Sequence, residues 1–288
     1  MKIRAPAKIN LGLRVLGKRP DGYHWIDSIM VPVSLYDEID IRKIRPDAKD
    51  QIDGNRIRIA CKHPDMPRAE ENIVYLAAQM ILQKTRSAQP ISIHIKKSIP
   101  VGAGLGGGSS DAAATLVLLN RLFNLGLTIG ALKKLAVPLG ADVPFFIQPR
   151  PARARGIGER LTPLPGLPPF WSVIVYPGFP VSTAWVYGNL AQKLTKPIVN
   201  TSITPSPRSL DQLARLLQND LEGVTLGRYP KIGELKRKLL HEGALGVLMS
   251  GSGSSVFGIF VSKQAAAKAF RRLRQEEGAQ AFLVHALN

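Results

Sequence analysis

Cysteine is nearly missing from this chain of 288 residues: Cys61 stands alone. One thiol cannot close an intramolecular disulfide or build a cysteine-based metal cluster, so the composition expects a reducing compartment. The five histidines do not compensate, since His63, His94 and His241 fall at no metal-ligand spacing. Aromatic residues make up only 6% of the chain, and the basic residues are scattered rather than interleaved with them. That pattern speaks against a nucleic-acid-binding module, in which clustered cations and stacking rings occur together. Long hydrophobic runs are absent as well. One uncharged stretch, Gly243 to Ser262, is long enough to span a membrane but has MSGSGSSV at its centre and is too polar for a membrane helix. Lys8 and Arg14 interrupt any candidate signal core at the N-terminus. The expectation is a cytoplasmic protein without a membrane partner.

Acidic residues are scarce too, 21 against 39 Lys and Arg, which leaves a formal charge of +18. Most of this charge is read as solvated surface, yet such a surface attracts phosphorylated small molecules, nucleic acid and anionic lipid alike. A hydrophobic content of 45% is ordinary for a globular protein, and the length suits two domains. PLPGLPPF, residues 163 to 170, is the best candidate boundary and divides the chain into 1–162 and 163–288.

Several segments declare their form. KIRAPAKINLGLRVLG and IMVPVSLYDEIDIRKI alternate apolar and other residues on either side of a PDG turn, as strands do. NRIRIAC and ISIHIKKSI read as further strands. ENIVYLAAQMILQKT has apolar residues at helical spacing, with Glu70, Glu71 and Asn72 at its start. SDAAATLVLLNRLF, TIGALKKLAVPLG, SLDQLARLLQNDL, YPKIGELKRKLLHEG and KQAAAKAFRRLRQE also read as helices. ARARGIGERLTPL reads as strand and turn, WSVIVYPG as a buried strand, and ALGVLMSGSGSSVFGIFV as two strands around a glycine–serine turn. The class is α+β.

The densest chemistry lies in PVGAGLGGGSSDAAATLVLLN. Gly102, Gly104, Gly106, Gly107 and Gly108 stand between a strand and a helix, with Ala103 and Leu105 between them. Glycine concentrates where the backbone must turn sharply or let a ligand approach. A dinucleotide fingerprint fits the spacing but lacks the acidic ribose ligand about 20 residues on. A Walker A loop would need a lysine where Ser109 stands. A plain connector would need fewer glycines. The remaining reading is a phosphate cradle of converging backbone amides at a helix N-terminus, with Ser109 and Ser110 as hydroxyl donors and Asp111 as a cap or cation holder.

This loop resembles the phosphate-binding motif of the GHMP kinase superfamily, and three further segments agree with it. LMSGSGSSVFG, Leu248 to Gly258, resembles the superfamily's C-terminal glycine motif. Ser254 is one departure, standing where many members carry proline. APAKINLGLRVLGKRPDGYH and GADVPFF are similar to segments of the branch that phosphorylates the 2-hydroxyl of 4-diphosphocytidyl-2-C-methyl-D-erythritol with ATP, in non-mevalonate isoprenoid biosynthesis. The GYH and GADVPFF segments set this apart from homoserine and mevalonate kinases, its rivals within the superfamily. The resemblance implies an N-terminal domain like ribosomal protein S5 domain 2 and a ferredoxin-like C-terminal domain.

For the site, the resemblance implies ATP binding by Pro100, Val101, Gly102, Ala103, Gly104, Leu105, Gly106, Gly107, Gly108, Ser109 and Ser110. Asn72 and Lys97 would lie near the adenine. Asp142, among apolar neighbours, reads from its residues alone as either a structural acceptor or a base; the resemblance makes it the catalytic base. Lys8 reads alone as a snorkelling edge lysine, and the resemblance pairs it with Asp142. Asn10 lies on the Lys8 face of its strand, by the period of two. Tyr23, His24, Thr183 and Tyr187 would hold the cytidine, with Trp185 as the neighbouring alternative to Tyr187. Mg²⁺ is expected to arrive on the nucleotide, without a dedicated protein metal site. A monomer or weak homodimer is expected.

Overall fold

The computed structural model describes residues 1–45, 56–63, 71–85, 89–190 and 207–287. Glu70, one of the three residues expected to open the first helix, lies outside them. Backbone contacts divide the chain into two interleaved units. The first holds residues 1–7, 36–101 and 106–149, the second 8–35, 102–105 and 150–288. A domain boundary at 162/163 stays a proposal.

Two long strands pass through both units: β1 (Lys2–Lys18) and β2 (His24–Lys43). They are hydrogen-bonded neighbours. Residues 5–13 of β1 are buried without interruption, so both faces are covered. That explains how two polar residues, Lys8 and Asn10, come to sit inside the strand at 4% and 1% exposure.

In the first unit β4 (Ile91–Lys96) pairs antiparallel with β2, Glu38 opposite Lys96. β3 (Ile57–Cys61) runs parallel to β4, with Ile57 opposite Ile91. Among the described residues the unit has four α-helices: α1 (Ile73–Leu82), α2 (Gly107–Leu122), α3 (Ile129–Ala136) and the short α4 (Val143–Ile147). Asn72 starts α1, accepting a hydrogen bond from the Val74 amide at 2.9 Å. Thr128 caps α3 through the Ala131 amide. α2 is different. It starts on Gly106 in the left-handed conformation, with no side-chain cap. Its buried residues include Ala112, Ala113, Leu116 and Leu119, and it packs against α1 and α4.

In the second unit β5 (Ala152–Gly156) pairs with the first half of β2 and with β6 (Arg160–Pro163). Arg153 on β5 forks onto both carboxylate oxygens of Asp27 on β2. A separate four-stranded antiparallel sheet has the order β11 (Gln280–His285), β7 (Trp171–Tyr176), β10 (Val256–Phe260), β9 (Gly246–Met249). Numbered by chain position that order is 4-1-3-2, with α8 (Pro230–His241) preceding the second strand and α9 (Lys263–Leu273) joining the third to the fourth. This is the ferredoxin-like arrangement that was expected. Ile232, Leu235 and Leu239 of α8 and Ala266, Ala269 and Leu273 of α9 form one core with Val173, Val175, Val256 and Phe260 of the sheet.

Three elements depart from the sequence reading. SLDQLARLLQNDL is helical only as α6 (Leu210–Arg215); its end forms β8 (Gln218–Asn219), which pairs parallel with Gly12 and Leu13 of β1. Pairing with an existing strand outweighs the helical propensity of that end. Residues 183–190 form α5 (Thr183–Leu190), and residues 222–228 form α7 (Glu222–Arg228), both unassigned from sequence. No helix among the described residues is long and apolar enough to cross a membrane.

Candidate active site

The glycine loop shows why it needs its glycines. Gly102, Gly104 and Gly106 have φ of 65°, 76° and 72°, the left-handed region that L side chains rarely adopt. These alternate with Ala103 and Leu105, whose side chains are buried as anchors. Every carbonyl from Gly102 to Leu105 is engaged. They accept, in order, from the Val181 amide at 3.1 Å, the Ser255 amide at 3.1 Å, the Ser250 hydroxyl at 2.9 Å and the Lys8 amide at 2.9 Å. The amides of Gly102 through Ser109 donate to no protein acceptor among the described residues. The loop therefore spends its acceptors on the second unit and leaves a run of donors open. Such a run, ending at the N-terminus of α2, suits an anion. Gly104 is also sterically obligatory: a methyl group there would collide with the Ser250 carbonyl and reach 2.9 Å from that of Gly253.

The C-terminal glycine motif builds the other side of this arrangement within the second unit. Asn219 of β8 donates to the carbonyls of Met249 at 2.9 Å and Gly251 at 2.7 Å. Thr225 of α7 donates to the Ser252 carbonyl at 3.2 Å. So held, Gly251 adopts φ 57° close to β1: a methyl on it would lie 3.5 Å from both the Lys8 ammonium and the Asn10 side-chain oxygen. Lys8 donates to Asn10 at 2.5 Å, Asn10 to the Ser28 hydroxyl at 2.8 Å, and Ser28 to the Gly12 carbonyl at 2.7 Å. This relay fixes the Lys8 ammonium beside Gly251. The period-two reading placed Lys8 and Asn10 together; Ser28 and Asn219 carried no signal in the sequence.

His24 and Tyr187 also meet in the second unit, with ring centroids 5.1 Å apart and planes 32° from parallel. His24 is buried, and its Nε2 has no hydrogen-bond partner. Burial lowers its pKa, with help from the Lys18 charge, so it stays neutral around pH 7. Thr183, the first residue of α5, hydrogen-bonds the Ser252 hydroxyl at 2.8 Å. Tyr23 is 59% exposed on the turn that Arg19 and Asp21 brace. Next to it Trp25, which the sequence reading passed over, lies beneath the Arg19 guanidinium at 4.3 Å. Trp185 turns instead toward Tyr229, edge to face at 6.1 Å.

The first unit contributes a buried charge cluster beside the α2 N-terminus. Lys97, 5% exposed at its side chain, bridges Asp37 at 2.5 Å and Asp111 at 2.8 Å. Asp37 also accepts from the amides of Ser98 at 2.6 Å and Ile99 at 2.9 Å. The segment leading into the loop and the helix leaving it are thus fastened to one ammonium. A methyl on Gly107 would lie 2.9 Å from Ile99 Cγ2 and 3.2 Å from that ammonium, so glycine lets the cluster sit close to the helix. Burial pushes the Asp111 carboxyl up to about 7; Lys97 pulls it back and Asp37 adds to the push. Burial by itself would lower Lys97, but the two carboxylates outweigh it and hold it above its ordinary value. Asp142 stands at the head of α4, half-buried, and does not cap its own helix. It belongs to the first unit and Lys8 to the second.

Comparison with known proteins agrees with this geometry. Residues 72–149 match the GHMP kinases N terminal domain family, and residues 201–280 the GHMP kinases C terminal family. A 4-diphosphocytidyl-2-C-methyl-D-erythritol kinase of Syntrophotalea carbinolica is 48% identical over 99% of this chain and 98% of its own length. One from Citrifermentans bemidjiense is 50% identical over 96% of each. A crystal structure of a 4-(cytidine 5'-diphospho)-2C-methyl-D-erythritol kinase superposes with a TM-score of 0.82 at 36% identity, covering 100% of both chains. The chain belongs to the 4-diphosphocytidyl-2-C-methyl-D-erythritol kinase family of the GHMP kinases.

Proposed function

We propose that the protein transfers the γ-phosphoryl group of ATP to the 2-hydroxyl of 4-diphosphocytidyl-2-C-methyl-D-erythritol, a step of non-mevalonate isoprenoid biosynthesis. The observation that carries the phosphoryl-transfer reading is the loop whose carbonyls are all engaged while its amides remain open. The relatives' shared name carries the choice of acceptor.

In this reading the amides from residues 102 to 109 receive the triphosphate, with Pro100 and Val101 leading in and the Ser109 hydroxyl beside it. Asn72 and Lys97 serve the adenine end; Lys97 acts there by holding the loop's two flanks. Asp142 takes the proton of the 2-hydroxyl as its oxygen attacks the γ-phosphorus and ADP leaves. Lys8, held by Asn10, polarises that hydroxyl. Phosphoryl transfer asks little covalent chemistry of a protein, so positioning and charge stabilisation account for most of the rate. Magnesium supplies charge neutralisation on the transferring group. The dication would be carried mainly by the nucleotide. Tyr23, His24, Thr183 and Tyr187 hold the cytidine: a neutral His24 and a tilted Tyr187 offer a flat apolar face with polar edges. The protein works in the cytoplasm as a monomer or weak homodimer.

A coupled ADP-release assay across acceptor alcohols tests this. The cytidylyl alcohol should support turnover and homoserine and mevalonate should not; the reverse ranking would overturn the assignment.

A further inference from the structure

The first unit contains a cavity of about 400 Å³ that the proposed chemistry does not use. It runs along α2 between the start of β1 and helices α3 and α4, and its walls include Val117, Leu132 and Phe146. Its volume falls within the ordinary range of small-molecule sites, and at ~30 Å³ per water-sized group it holds on the order of a dozen heavy atoms.

Two features show that it is not simply a packing fault. Ser110 lines it, 1% exposed, and the Ser110 hydroxyl has no hydrogen-bond partner. A buried hydroxyl without a partner costs stability unless something occupies the space and bonds to it. Arg4 and Arg121 also line the cavity, and neither guanidinium has a carboxylate partner among the described residues. Arg4 rests on the Tyr36 ring at 4.6 Å, which fixes its position without neutralising it. Both arginines are exposed, whereas Ser110, Leu132 and Phe146 are buried. The cavity is thus cationic where it meets solvent and apolar within.

We propose that this cavity is a second binding site, for a small amphipathic anion: an apolar tail among Val117, Leu132 and Phe146 that carries a polar atom to the Ser110 hydroxyl, with an anionic head on Arg4 and Arg121. Charge complementarity selects the head and the walls select the tail. Both carboxylate and phosphate-monoester heads satisfy this chemistry.

Calorimetric titration of the full chain with decanoate, decyl phosphate and decanol, each kept below its micelle concentration, tests the site. At least one of the two anions is expected to bind saturably at one site per chain, with decanol at least tenfold weaker. Whichever anion binds more tightly identifies the head group. Arg121→Glu should weaken that anion at least tenfold, and Val117→Trp should abolish its binding by filling the space. Both variants should keep ADP release at the parent rate, which separates this site from the kinase chemistry. Arg121→Glu is an exposed change and decides the matter even if Val117→Trp fails to fold. The proposal is overturned if neither anion binds saturably, or if binding survives Arg121→Glu unchanged.

Discussion

In the proposed function single side chains carry the reaction, and their substitutions separate their roles. Asp142→Asn keeps shape and removes the proposed base, so turnover should fall about 10²-fold or more while the fold and ATP affinity persist. Steady-state rates alongside ATP titration of the same preparation check this; near-parent turnover in a folded, ATP-binding variant would remove Asp142 from the role. Lys8→Ala should lose turnover similarly, with Lys8→Arg only partly restoring it, because a planar guanidinium cannot reproduce the point charge held by Asn10. Tyr187 is proposed to act on the acceptor instead. Truncation of its ring in Tyr187→Ala should weaken use of the cytidylyl alcohol by about 1–3 kcal/mol, the scale of a lost base–aromatic stack. The Michaelis constant for ATP should hardly change. At this scale the sequence was legible where the period of a strand put two residues on one face, as for Lys8 and Asn10. Lys97 was harder. Its partners lie 60 and 14 residues away, and nothing local announces a lysine shared by two buried carboxylates.

At the level of elements, the glycine loop is held by bonds no pattern predicts: Gly104 meets Ser250 across 146 residues of sequence. The segment's proposed purpose was suggested by its glycine density, but the device that holds its carbonyls was not legible. Gly104→Ala tests that device. A left-handed non-glycine residue costs roughly 1–2 kcal/mol by itself, and the collision with the Ser250 carbonyl adds to it. Equilibrium binding should show ATP affinity falling by more than the urea midpoint would suggest; a pure stability loss with parent ATP affinity would make the loop a packing feature. Strands of marginal length were the least legible elements. β8 exists because Gln218 and Asn219 pair with β1, while their local sequence favours the helix before them. The charge cluster between β4 and α2 makes a pH prediction. Asp111 holds its proton up to about pH 7 in the folded protein but only to about pH 4 unfolded. Between these values the unfolded chain binds fewer protons, so folding stability falls as pH rises through the window. Asp111→Asn should flatten that slope, measured by urea unfolding at intervals from pH 4.5 to 7.5. An unchanged slope would mean that Lys97 keeps Asp111 ionised throughout.

For the molecule as a whole, the formal charge of +18 suits a protein whose two substrates both carry chains of phosphate. The α+β class followed from the order of the elements read in the sequence, and the ferredoxin-like domain from the family resemblance. α5, which presents Thr183 and Tyr187, did not, because its β-branched and aromatic residues give little helical signal. The central claim is that binding at the cytidine is used to position a distant hydroxyl. Remote binding of this kind raises turnover as well as affinity, so an acceptor without the nucleotide should lose both. The most direct measurement compares turnover and Michaelis constant for 4-diphosphocytidyl-2-C-methyl-D-erythritol and for methylerythritol phosphate, using the same enzyme and saturating ATP. The account predicts efficient transfer to the first and very poor transfer to the second, in turnover as well as in Michaelis constant. Equal phosphorylation of the two would contradict it.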